Sequence, residues 1–245
     1  MNQREGDKDK KMGEGENNRT RTPSHSGFAF PIIPRSAPLD SSCHPSTNFA
    51  IMSVVSWPAL HALAPSLNLL PHPEGGMYAE TFRDDEDVPT DAITTSTPSG
   101  ASRYSGPSTR SLSTAIYFVV PKGKRSHMHI LQSNEMWHFY LGRPLTVVEI
   151  APDGTLKKTT LGQNILNGHT LQHVVPKGSW FGSYPTNDYD GDGGVGDEHD
   201  YSLVGCTVAP GFDFSDFELG TREQLLKLFP QHEEELMRLT PPPSE

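Results

Sequence analysis

From about residue 113 to residue 209, apolar and polar positions alternate in runs of five to nine, the period of a strand with one face buried. The pattern predicts strands at about 113–120, 126–130, 135–141, 145–150, 155–160, 169–175, 179–184 and 201–209, with an earlier one over Met77–Arg83. Turn signals part them: Pro121-Lys122-Gly123, Gly142-Arg143-Pro144, Pro152-Asp153-Gly154, Asn167-Gly168 and Pro176-Lys177-Gly178. Eight or nine short strands without intervening helices predict a mainly β fold, an antiparallel sandwich or barrel. Helical spacing occurs only at the two ends. Residues 57–67 carry Leu60, Leu63, Ala64 and Leu67 on one stripe behind Pro58. Thr221 with Gln224 makes a capping-box pattern ahead of Leu225, Leu228 and Phe229, and Pro230 opens a second short helix to about Leu239.

Composition divides the chain. Residues 1–51 are polar, then Pro/Ser-rich, and are expected to be a disordered tail, leaving one domain over 52–240 and a short tail at 241–245. Within the domain, 84–111 and 185–200 read as solvated loop insertions. The first 51 residues hold seven Lys/Arg against six Asp/Glu, and the remainder thirteen against twenty-four, so the body is strongly acidic. An acidic body with no basic stripe excludes nucleic acid as the expected partner. No apolar run is long enough to span a membrane. Two cysteines, Cys43 and Cys206, are too few for a disulfide framework, which points to a reducing, cytoplasmic setting.

Candidate chemistry concentrates between Gly123 and Gly142. In an extended strand His127 and His129 would project the same way and converge on one ion or substrate. Regular alternation over 135–141 puts Glu135, Trp137, Phe139 and Leu141 on one face and Met136, His138 and Tyr140 on the other. Glu135 and His138 cannot then both face a pocket unless a bulge intervenes. An imidazole can act as base and a phenol as acid, so His129 or His138 with Tyr140 is a candidate acid–base pair, and Gln172 a candidate ligand donor. Arg83, Arg125 and Arg143 are the scattered cations available to a phosphorylated substrate. Asp188–Gly193 imitates the start of a calcium loop but lacks its closing glutamate, and reads as a solvated acidic loop. Cys206, in an apolar strand, reads as a small core residue, and His72, between Pro71 and Pro73, as structural.

Gly123, His127-x-His129, Glu135 and Gly142 resemble the first cupin motif, with one extra residue between His129 and Glu135. Pro71-His72-Pro73-Glu74-Gly75-Gly76, Glu80-Thr81-Phe82-Arg83, Trp137-His138-x-Tyr140-x-Gly142, Gln172 to Phe181 and Tyr201 to Phe214 together resemble the cupin_5 family, formerly DUF985. The resemblance implies an RmlC-like double-stranded β-helix, a jelly roll with short flanking helices, usually a homodimer. It also implies a small-molecule ligand and an epimerase or isomerase acting on a sugar or related polar metabolite. In the general cupin pattern His127, His129 and Glu135 would hold one divalent metal, Fe, Mn or Zn, although Phe181 stands where the last metal-binding histidine is usual. The family pattern favours His138 with Tyr140 in the pocket and the general cupin register favours Glu135; His138 is the adopted expectation. Glu74, Gln172, Glu135 and Trp180 are the expected ligand-binding residues. A metabolite-binding module without turnover, or a metal-dependent lyase or oxygenase, are the alternatives.

Overall fold

The structure, a computed structural model, describes residues 57–93, 104, 106–186 and 198–242. The expected tail at 1–51, the acidic run at 188–193 and the end of the expected tail at 241–245 lie outside the described residues. Strands β1 (Leu70–Pro71), β2 (Met77–Arg83), β3 (Asp87–Pro89), β4 (Thr109–Ser111), β5 (Thr114–Pro121), β6 (Ser126–Ile130) and β7 (Asn134–Gly142) come first. They are followed by β8 (Leu145–Ile150), β9 (Leu156–Leu161), β10 (Gln172–Val175), β11 (Trp180–Pro185), β12 (Tyr201–Ala209) and β13 (Glu218–Leu219). Helix α1 (Leu60–Ser66) precedes the strands, and α2 (Arg222–Leu228) and α3 (Glu233–Leu239) follow them. Every predicted strand is present, with bounds moved by at most three residues.

The strands form a mainly β jelly roll. One antiparallel sheet runs β1-β2-β5-β12-β7-β10 and the other β13-β6-β11-β8-β9. Alternation sends Phe118, Val120, Trp137, Phe139, Val204, Cys206 and Val208 inward from the first sheet, against Leu145, Val147, Leu161 and Phe181 from the second. The outer face of the second sheet is also dry. Met128, Val148, Ile150, Trp180 and Tyr184 pack under Leu225 and Phe229 of α2 and its C-cap and Leu236 and Leu239 of α3, which is why every residue of β8 is buried. The predicted capping box is made: Gln224 N–H donates to Thr221 Oγ1, and Thr221 N–H to the Gln224 side chain. Among the described residues no helix is long and apolar enough to cross a membrane.

One expected loop is partly sheet. Inside 84–111, β3 pairs with β4, and Arg110 of β4 grips Asp216 with a two-pronged ion pair of 2.6 and 2.8 Å. Both side chains are buried. Residues 210–217 thereby form a strap between the sheets, since β12 ends at Ala209 in one and β13 pairs with β6 in the other. Composition alone hid this brace, because Ser- and Thr-rich sequence carries both loops and edge strands.

Candidate functional site

Three β-bulges decide which side chains meet between the sheets. On β6, Phe181 pairs with His129 and Ser183 with Ser126, so β6 carries one more residue than β11 over this span. Ser126 and His129 therefore both face the interior, three apart, while Met128 turns to the helical side. On β2, Glu80 pairs with Ile116 and Phe82 with Ala115, leaving Thr81 as the extra residue. Glu80 and Arg83 consequently share the inner face. On β7 the extra residue is Tyr140, since Phe139 pairs with Val204 and Leu141 with Leu203. Parity flips there, and Leu141 joins the α1-side cluster instead of following Phe139 inward.

The resulting cavity, about 400 Å³, has a polar floor of His72, Glu74, His129 and Glu135. Glu74 arrives from the loop between β1 and β2. Gly75 and Gly76 hold positive φ of 102° and 69°, and a Cβ on either would overlap the carbonyl of Arg125 or Val119. Only a glycine pair lets the loop lie this close to β5 and β6. The Glu74 carbonyl accepts the His127 backbone N–H and its ring Nδ1, both at 2.8 Å, and its carboxylate accepts from Ser126 Oγ at 2.8 Å. Oε2 lies 3.3 Å from His72 Nδ1 and 3.2 Å from His129 Nε2.

Proton positions follow from these contacts. His129 Nδ1 faces the His127 carbonyl at 2.8 Å, and a carbonyl only accepts, so Nδ1 carries hydrogen. His129 Nε2 then faces Glu74 Oε2 at 3.2 Å, so the two groups titrate as a coupled pair. Burial drives the imidazolium of His129 down from the ordinary histidine value, against the pull of Glu74. Burial would raise Glu74, but His129, His72 and Ser126 outweigh it and hold its carboxyl below the usual value. Glu135 goes the other way. Burial first, and then the Glu74 charge, push it up to about 8, although Trp137 Nε1 donates to its Oε2 at 3.1 Å. Cys206 lies beside it on the wall, its thiol pushed well up chiefly by burial and then by Glu135.

The walls are mostly hydrocarbon: Tyr78, Ile116, Phe118, Leu131 and Val208 from the strands, and Phe212, Phe214 and Phe217 from the strap. Five of these rings surround His72, with centroids 4.8 to 6.5 Å from its own. At the rim Arg83 forks onto Glu80 at 2.9 and 2.7 Å and donates to the Phe212 carbonyl at 3.2 Å.

The predicted site residues separate. Glu74, Glu135 and His129 are in the cavity. His138, the adopted expectation, is not: it stands on the outer face between Thr207 Oγ1 (3.1 Å) and Gln172 (3.0 Å), because inward parity on β7 belongs to Glu135, Trp137 and Phe139. Tyr140, 45% exposed, lies against Gly205 and Tyr117 on that same outer face, and Gln172 is there with His138. Trp180 is buried under α2, one residue out of phase with Phe181. His127 turns into a separate pocket with Lys124 and Arg125, because the β6 bulge breaks the alternation that would have aimed it with His129. The expected metal ligands His127, His129 and Glu135 thus do not converge. The Phe181 ring sits 4.0 Å from that of His129, both His129 nitrogens are engaged, and among the described residues no three His, Cys, Asp or Glu are placed to hold an ion. These residues do not fit the metal site that the cupin pattern implies.

Sequence reading missed His72, set aside as structural, along with the Arg83–Glu80 rim and the strap phenylalanines. The tight Pro-His-Pro-Glu-Gly-Gly loop was the available signal, since a glycine pair marks close approach of one backbone to another.

The model of the cupin superfamily family Cupin_5 (DUF985) matches residues 61–220. The chain belongs to Cupin_5. A Shewanella oneidensis protein known from an X-ray crystal structure is 34% identical, with a TM-score of 0.61, over 76% of this chain and 100% of that one. A hypothetical protein from Leishmania major is 32% identical, also at a TM-score of 0.61, over 75% of this chain and 99% of that one. The uncharacterized protein YML079W of Saccharomyces cerevisiae is 30% identical over 173 residues, 69% of this chain and 79% of the yeast protein. For Cupin_5 these relatives establish the jelly roll and leave the chemistry to be argued from the cavity.

Proposed function

We propose that this Cupin_5 protein is a proton-transfer enzyme, an isomerase or epimerase, acting on a small carbonyl compound in the cavity. One observation carries the reading: two carboxyls share a cavity with opposite protonation, Glu74 held below its usual value and Glu135 raised to about 8. Environments that split a carboxyl pair in this way mark an acid–base site, in which the neutral member can give a proton and the ionised one can support the charge of a base beside it. Glu135, neutral at pH 7, is the acid, giving a proton to the substrate or a hydrogen bond to its carbonyl oxygen. His72 is the base. His72 Nδ1 faces both Glu74 Oε2, 3.3 Å away, and the Glu74 backbone N–H, 3.4 Å away; in the tautomer that turns hydrogen on Nδ1 toward the carboxylate, the Nε2 lone pair, which has no hydrogen-bond partner among the described residues, is left for the carbon-bound proton. Glu74 stabilises the imidazolium so formed, and His129 and Ser126 orient Glu74.

The experiment is deuterium uptake from D2O into a panel of small carbonyl compounds, followed by NMR. His72→Asn and Glu135→Gln are expected to slow exchange by roughly 10²- to 10⁴-fold, whereas His138→Ala and Tyr140→Phe leave it unchanged. Exchange that survives both cavity variants, or is lost in His138→Ala, overturns the assignment. A compound that raises the melting temperature without exchanging makes the cavity a binding site only.

A further inference from the structure

We infer that the cavity selects a single-ring-sized molecule with an apolar face and no anionic group, and rejects phosphorylated or nucleotide-linked substrates. This rests on the reading of the cavity as the ligand site and goes further, to the class of molecule. A diphosphate needs cationic partners with free N–H groups. Among the described residues Arg83 is the one lysine or arginine lining the cavity. Four of its five N–H groups are engaged by the two Glu80 oxygens and the Phe212 carbonyl, which leaves too few for a diphosphate, and Asp213 lies close enough to raise it further. The other two cations that sequence offered are elsewhere. Arg125 donates to the Arg238 carbonyl, and Arg143 is paired with Asp200.

The remaining charge in the cavity is unfavourable to an anion. Glu74 and Asp213 are held ionised below their usual values, and Glu80 offsets Arg83. Between this rim and the floor the walls offer rings and aliphatic carbon, the surface on which an apolar molecular face settles by excluding water. At the floor, polar contact comes from the Glu135 carboxyl and His72. An uncharged ring with one carbonyl matches this distribution. A neutral sugar that lays a C–H face on an aromatic ring belongs to the same class, and a nucleotide sugar does not.

The test uses four probes: cyclohexanone, cyclohexanecarboxylate, cyclohexylammonium and uridine diphosphate. Binding is read by saturation-transfer NMR, and site occupancy by displacement of the pH midpoint, expected near 8, of Trp137 fluorescence, since Trp137 Nε1 donates to the Glu135 carboxyl. Cyclohexanone is expected to bind at least tenfold more tightly than the carboxylate and the diphosphate and to move the midpoint, and the ammonium, which the ionised carboxylates tolerate, to bind more tightly than the carboxylate. Glu80→Gln, which frees Arg83, is expected to raise the carboxylate-to-ketone affinity ratio about tenfold. Wild-type protein that prefers the carboxylate or the diphosphate, with the midpoint moved, overturns the selectivity while the cavity remains the ligand site. An unchanged ratio in Glu80→Gln overturns the role given to the rim. If no probe moves the midpoint, the cavity is not the ligand site, and the inference falls with that reading.

Discussion

Glutamine at position 135 isolates the proton on which the site depends. Glu135 rises from an ordinary 4.5 to about 8 on folding, chiefly because burial strips water from its charged form. At about 1.4 kcal/mol per tenfold this corresponds to about 5 kcal/mol. The sign follows from where the proton is bound. Below pH 4.5 the carboxyl is protonated in folded and unfolded chains alike, and the wild type keeps its full stability. Between 4.5 and about 8 the unfolded chain releases the proton and the folded one retains it, so stability falls as pH rises. Above about 8 the folded carboxyl ionises too and the loss levels off. Glutamine keeps the shape and can still accept from Trp137, but has nothing to titrate. Glu135→Gln should therefore match the wild type within about 1 kcal/mol at pH 5. By pH 9 it should exceed the wild type by up to about 5 kcal/mol, a melting difference of about 10 °C or more for a domain of this size. Urea and thermal unfolding of both proteins at pH 5, 7 and 9 measure this directly. Stability profiles that run parallel through that window would refute the claim that Glu135 is held neutral.

Two further substitutions test the scaffold around the cavity. Arg110→Met removes the two-pronged ion pair to the buried Asp216 carboxylate; a loss of about 3–5 kcal/mol in urea unfolding is expected, and a change under about 1 kcal/mol would show that the strap is held otherwise. Gly75→Ala forces a Cβ into the Arg125 carbonyl at a φ of 102°, for an expected cost of about 1–3 kcal/mol. Because the loop must retreat, the pH midpoint of Trp137 fluorescence should also move down toward the usual carboxyl range as Glu74 withdraws its charge from Glu135. An unmoved midpoint would separate the loop from the electrostatics of the floor.

Much of this architecture was legible in the residues because alternation is a property of each strand alone. Leu145, Val147, Val204 and Val208 had to face something apolar wherever they went, and turns such as Asn167-Gly168 punctuated them. The α2 cap was equally local, a matter of two side chains three residues apart. The site was not local. Whether His127 follows His129 depends on how many residues of β6 oppose β11, and that count belongs to the pair of strands. Likewise Tyr140 breaks phase on β7 only relative to β12. Glu135 over His138 was recoverable from Trp137 and Phe139, large apolar neighbours that had to be inside and carried the carboxyl with them.

The bulges also explain how a cupin barrel can hold imidazoles without assembling the three-ligand arrangement its first motif implies. Ser126 and His129 turn inward while His127 turns away, so the first histidine of the pair is withdrawn and a hydroxyl takes an inward position nearby. The Gly75–Gly76 approach then delivers Glu74 to that place, where its carboxylate receives Ser126 and lies against His129 and His72 together. An anion fixed to the chain thus occupies the lone-pair side of His129 that an ion would need. With the Phe181 ring tilted against the remaining flank, the imidazole has nothing left to coordinate. What such a floor can still do is keep Glu74 ionised against His129 and His72 and a proton on Glu135 a short distance away, and it is that difference in proton affinity across the cavity that the proposed reaction uses.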